Sequence, residues 1–130
     1  MILFCKKSLQ ADLGIHSGVG AILLQGRGDH ERQYVTSFVL AVSDDGSTFK
    51  YITQDGSTSS VESDAFEFDG NTDVSTVVEA ALPKTVFTRF VRLYPRTYND
   101  HISLRWDILT CRPAGQSVAP RFKKMIFLES

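Results

Sequence analysis

The stretch Ile102 to Cys111 constrains this chain most, because Ile102, Leu104, Trp106 and Ile108 alternate there with Ser103, Arg105 and Asp107. A period of two sends successive side chains to opposite faces of an extended backbone. The stretch is therefore a strand with one apolar face, and Trp106 belongs to the core. Short runs of Val, Ile, Thr, Phe and Tyr recur along the sequence, separated by Gly, Asp, Asn and Ser, and none has a helical period. The chain reads as all-β, and its 130 residues suffice for one domain with a real core.

Leu9 to Leu13 and Val19 to Gln25 read as the first two strands, joined by a loop from Gly14 to Gly18. Tyr34 to Ser43 is a long strand, and Asp44-Asp45-Gly46-Ser47 has the turn chemistry that returns the chain as Phe49 to Ile52, a hairpin. Gln54 to Ser63 is polar and reads as an exposed loop. Phe66 to Phe68, Val74 to Glu79 and Val86 to Tyr94 are further strands, with Pro83 marking the connection between the last two. After Cys111 come two prolines and a glycine, then Arg121-Phe122-Lys123-Lys124 and Met125-Ile126-Phe127-Leu128. This end reads as a flexible or weakly docked tail, with a membrane-touching or strand-adding peptide as the alternative.

Fourteen basic against fifteen acidic side chains leave a net charge of -1. No global field draws in nucleic acid, so none is expected as a partner. The apolar runs are too short to span a bilayer as a helix, so no transmembrane segment is expected. The start, Met-Ile-Leu-Phe-Cys-Lys-Lys, reverses the charge order of a signal peptide. Cys5 and Cys111 are too few for a zinc site and too far apart for a redox CxxC pair, which leaves one disulfide or two free thiols.

Strand periodicity alone does not choose among sandwich, jelly roll and barrel. The ordered segments Leu9-Gln10-Ala11-Asp12-Leu13-Gly14, Gln25-Gly26-Arg27, Gln33 to Phe38, Val42 to Gly46, Phe68 to Asp73, Thr88 to Pro95 and Ile102 to Cys111 resemble the discoidin family, also called coagulation factor V/VIII type C domains. The resemblance implies a jelly-roll β-sandwich, galactose-binding-domain-like, over residues 9–111. Residues 1–8 would then lie outside the family pattern and 112–130 would form a C-terminal tail. It also implies an opening segment that this chain lacks, bearing the first ligand loop and a cysteine that pairs with the equivalent of Cys111. Cys5 stands later than that cysteine, and a Cys5–Cys111 bridge is the pairing left to this chain. The bare sheet edge that results would be filled by Met1 to Phe4 or by Met125 to Leu128.

In the family, loops at one end of a rigid scaffold bind phospholipid, glycan, collagen or peptide termini, according to the member. The resemblance places the loop Gly26 to Gln33 at that end. Its Arg27 and Arg32 suit a carboxylate, sulfate or phosphate, while Asp29, His30, Glu31 and Gln33 offer further polar contacts. Arg27-Gly28-Asp29 also spells an integrin-binding tripeptide. Pro95 to His101 is expected as a second loop there, with Tyr98 as a flat face and Thr97 and Asn99 as hydrogen-bonding groups. Asp69, Asn71 and Asp73 are hard oxygen donors at alternate positions that suit calcium, although Asp-Gly-Asn is also simple turn chemistry, and no other cofactor is expected. No serine or cysteine stands in a recognisable nucleophile motif, so the expectation is a non-enzymatic module. It would be extracellular or at the cell surface, binding a cell-surface or matrix protein or a glycan. The alternatives are an anionic-phospholipid binder of the phosphatidylserine type and a carbohydrate-binding accessory domain of an enzyme.

Overall fold

The computed structural model describes residues 8–28, 32–111 and 124–128. The strands are β1 (Leu9–Gln25), β2 (Tyr34–Ser43), β3 (Lys50–Ile52), β4 (Thr58–Ser59), β5 (Phe68–Asp69), β6 (Val78–Asn99), β7 (Ile102–Cys111) and β8 (Lys124–Leu128), with a 3-10 turn at Glu62–Asp64. They form an eight-stranded antiparallel sheet in the order β4-β3-β2-β6-β1-β7-β8, with β5 paired to β2 off that path.

One sheet becomes two layers because its long strands bend. Residues 13–16 of β1 stand opposite Arg89 alone, and residues 82–85 of β6 stand opposite Gly20 alone. Such wide bulges break the ladder and increase the local twist, so the sheet folds over and β2 packs on β7 without pairing to it. Between the layers lie Ile22 and Leu24 from β1, Phe38 and Leu40 from β2, Ile52, Leu93 and Leu104, all fully buried. Phe68 stacks on Phe38 at 5.4 Å between ring centroids and takes the edge of Phe66 at 4.7 Å. Trp106 is buried in the same cluster, as its alternation predicts.

Several boundaries differ from the sequence expectation, among them the start of β6, because Val74 to Val77 belong to a turn and the strand opens at Val78. Gly14 to Gly18 does not separate two strands, because β1 runs through it as a bulge in which Gly14 takes φ 83° and its N–H donates to Asp12 Oδ1. Pro83 does not end a strand either. It lies in the unpaired bulge of β6, where its missing N–H costs no ladder bond. Nor is Pro95 to His101 a loop: β6 stays paired with β2 as far as Asn99, and only Asp100 (φ 66°) and His101 make the turn into β7. The polar stretch Gln54 to Ser63 holds the short strand β4. In the C-terminal stretch, Lys124–Leu128 pairs antiparallel with β7, Ile102 against Leu128 and Trp106 against Lys124.

The β2–β3 hairpin stands as expected, with Gly46 at φ 79° in its turn. Asp45 Oδ1 accepts from the N–H groups of Thr48 and Ser47 and from the hydroxyl of Ser43, at 2.8–2.9 Å. These donors, Thr48 foremost, favour the ionised carboxylate and lower it to about 2. A folded-state value below the unfolded one means the turn is supported fully above about 3.8 and loses that support as pH falls toward about 2. Thermal unfolding at pH 4 and pH 2 should show the gap between wild type and Asp45→Asn shrinking at the lower pH.

Candidate functional site

Because the sheet folds over, the end of β1 and the start of β7 in one layer meet the start of β2 and the end of β6 in the other. The sequence-nominated segments Gly26 to Gln33 and Thr97 to Asn99 belong to these four strand ends, and the structure ties them together. The Arg27 N–H donates to the Gln33 carbonyl at 3.0 Å and closes the loop at its foot. Asn99 Nδ2 donates to the Arg32 carbonyl at 2.8 Å, linking that loop to the end of β6. Gln33 is buried, and its Oε1 accepts from Ser103 Oγ at 2.8 Å and from Arg27 Nη1 at 3.3 Å. A core strand thus holds the loop's own arginine in place through one amide.

Tyr98 is 38% exposed on this end and Asn99 lies open beside it. Thr97 is less free than a loop threonine, because its Oγ1 meets the hydroxyls of Thr36 and Ser37, and Ser37 Oγ donates to Glu67 Oε1 at 2.7 Å. Asp29, His30 and Glu31 lie outside the described residues. Of the nominated set, Arg27, Arg32, Gln33, Tyr98 and Asn99 are therefore brought together, with Thr97 on the adjoining flank.

Two features of this end were not nominated from sequence. Arg105 of β7 donates from Nε to the Gly26 carbonyl at 3.2 Å, and its guanidinium lies against Gly28, where an added Cβ would come within 2.8 Å of Nη2. The outward phase of the Ile102–Ile108 alternation carried the signal for Arg105, which joins Arg27 and Arg32 as a third guanidinium here. The second is the turn from Asn71 to Val77. Gln25 Nε2 donates to the Ser75 carbonyl, and Gly26 packs so closely on Val74 that a Cβ would fall 2.8 Å from Val74 Cα. Val77 is 45% exposed on that turn.

The oxygen donors nominated for calcium do different work in this structure. Asn71 is buried, its Nδ2 donating to the carbonyls of Leu24 at 2.9 Å and Thr76 at 3.1 Å, whereas Asp69 and Asp73 are exposed. Asp73 accepts from the Thr76 and Ser75 N–H groups and the Thr76 hydroxyl, and these lower its pKa, the Thr76 N–H most. That is turn chemistry. Among the described residues no group of three His, Cys, Asp or Glu is arranged to hold a metal ion. Cys111 is exposed with a free thiol, and its nominated partner Cys5 lies outside the described residues. A cleft of about 330 Å³ lined by Val42, Asp44, Lys50 and Phe87 lies at the far end of β2, away from these loops.

Residues 5–108 match the family model of the F5/8 type C domain. Among curated proteins the chain is 36% identical over 104 residues to coagulation factor VIII of Sus scrofa, covering 79% of this chain and 4% of that protein. It is also 36% identical over 107 residues to lactadherin of Rattus norvegicus, covering 82% of this chain and 23% of the relative. With neuropilin-1 of Homo sapiens it shares 34% over 110 residues, 82% of this chain and 11% of that protein. The chain thus spans less than a quarter of each of these relatives. Among solved structures, wild-type discoidin II from Dictyostelium discoideum superposes with a TM-score of 0.67 at 27% identity, over 84% of this chain and 38% of that one.

Proposed function

Because this chain belongs to the F5/8 type C domain family, we propose that it is a non-enzymatic recognition domain acting outside the cell or at its surface. It binds a cell-surface or matrix protein or a glycan through the end that carries Arg27, Arg32, Gln33, Tyr98 and Asn99. The observation that carries this reading is the cross-tying of that end: Gln33 joins Arg27 to Ser103, and Asn99 joins β6 to the Arg32 carbonyl. Ties of this kind fix polar groups before a ligand arrives, so less ordering entropy is lost on binding. Arginines and an exposed phenol at one end of the sandwich suit a partner with carboxylate or sulfate groups and a flat apolar patch. Asp29, His30 and Glu31 lie between Arg27 and Arg32 in the sequence and outside the described residues.

Val77 favours a second reading. It is an exposed aliphatic side chain on a turn packed against the same loop, as a phospholipid-binding end requires. A binding panel of glycans, matrix proteins and phosphatidylserine vesicles separates the two. Selective glycan or protein binding, weakened at least about tenfold by Arg27→Ala with Arg32→Ala, supports the first reading; tenfold is about 1.4 kcal/mol, the size of one charge-assisted hydrogen bond. Vesicle binding lost in Val77→Asp but kept in the arginine variant supports the second.

A further inference from the structure

We infer that the mouth of the sandwich opposite the ligand loops binds a small zwitterion of the α-amino-acid type with an apolar side chain, at a site separate from the one proposed above. Pairing across β2, β3 and β4 sets Val42 beside Lys50 and Ile52 beside Thr58. Directly paired residues share a face of the sheet, and so do alternate residues of one strand. All four therefore stand on the face to which the fully buried Ile52 belongs. Lys50 is thus a charge in the core-facing phase of its strand, exposed only because it stands at the mouth. Packing alone favours an apolar residue at such a position. Among the described residues the Lys50 ammonium has no ion-pair or hydrogen-bond partner.

Lys50 lines a cleft of about 330 Å³ between the β2–β3 hairpin and β6, a size at the lower end of small-ligand sites. Val42, Val86 and Phe87 supply its apolar wall. Its floor is already committed to the fold: Thr88 Oγ1 donates to the Ser43 carbonyl at 2.8 Å, and Ser43 Oγ donates to Asp45 Oδ1 at 2.9 Å. Asp44, also lining the cleft, meets His16 Nε2 through Oδ1 at 2.9 Å, and its Oδ2 has no partner among the described residues. A cation and a carboxylate that do not pair with each other therefore border one partly apolar cleft. A ligand with a carboxylate for Lys50, an ammonium for Asp44 and an apolar side chain for Val42 and Val86 satisfies all three. A neutral ligand leaves both charges unmatched, and a plain anion is repelled by Asp44 and Asp45.

Calorimetric titration of the purified full chain with leucine, methionine and phenylalanine tests the inference. At least one is expected to bind saturably, with its N-acetyl and amide derivatives, each lacking one charge, about tenfold or more weaker. Lys50→Met and Asp44→Asn should each weaken the free amino acid by a similar factor. Arg27→Ala with Arg32→Ala should leave its binding unchanged, which separates this site from the loop end. Amide shifts in NMR spectra should fall at Ser43 to Lys50 and Val86 to Thr88. A chain that melts cooperatively yet binds none of the three up to about 10 mM overturns the inference. So does binding that survives both substitutions, or shifts confined to Arg27 and Gln33.

Discussion

Phe38→Ala should lower the stability of this domain by about 3–5 kcal/mol. The side chain is fully buried at the centre of β2, the strand that pairs with β3, β5 and β6 and packs on β7 across the core. Its ring stacks on Phe68, which in turn takes the edge of Phe66, so truncation opens a cavity and leaves both neighbours short of contacts. Against a total of about 5–15 kcal/mol for a typical domain the loss is severe, and the melting temperature should fall by more than about 10 °C. Phe87→Ala is the matched control. That ring is 65% exposed, and its removal should change stability by no more than about 0.5 kcal/mol. Equal effects from the two would mean that the core is not where β2 places it.

The second large effect is expected at Gln33. Replacing it by leucine leaves the Ser103 hydroxyl, which is 1% exposed, without its acceptor and releases Arg27 Nη1. A buried polar group stranded in this way costs about 1–3 kcal/mol. The change also loosens the foot of the ligand loop, so binding should fall more than a simple loss of stability accounts for. The comparison that isolates this is affinity at a temperature where wild type and variant are both fully folded. A variant that melts earlier yet binds at full strength would show that the Gln33 tie holds the fold and not the recognition surface.

Local chemistry made much of this fold legible. The period-two pattern of β7 set Trp106 inside, and Asp44 to Ser47 announced the β2–β3 turn. Where the reading failed, turn-forming residues were doing something other than ending a strand. Gly14 permits a bulge, Pro83 occupies another, and the partner strands that keep β1 and β6 continuous lie far away in sequence. Strand β8 was harder still: the four apolar residues Met125 to Leu128 name no partner by themselves, and only the bare edge implied by the resemblance pointed to one.

The site divides along the same line. Arg27, Gln33, Tyr98 and Asn99 could be nominated from the loop pattern that the chain resembles. That Gln33 bonds Ser103, 70 residues later, follows only from register. Arg105 had a visible outward phase but no visible neighbour until β7 was paired beside β1. The donors of Asp69, Asn71 and Asp73 are equally spaced, yet Asn71 turns inward to the Leu24 carbonyl, a contact invisible in the spacing.

One end of the sandwich, the end of Gly26 to Gln33 and Tyr98 to Asn99, is where we propose that the ligand is held. The most direct test is hydrogen exchange of the chain with and without whichever member of the binding panel it retains. Slowed exchange is expected at the amides of Arg27, Gly28, Arg32, Gln33, Tyr98 and Asn99, with no change from Ser43 to Thr48 at the far end of β2. Protection confined to the Ser43–Thr48 end, with the loop amides unaltered, would contradict it.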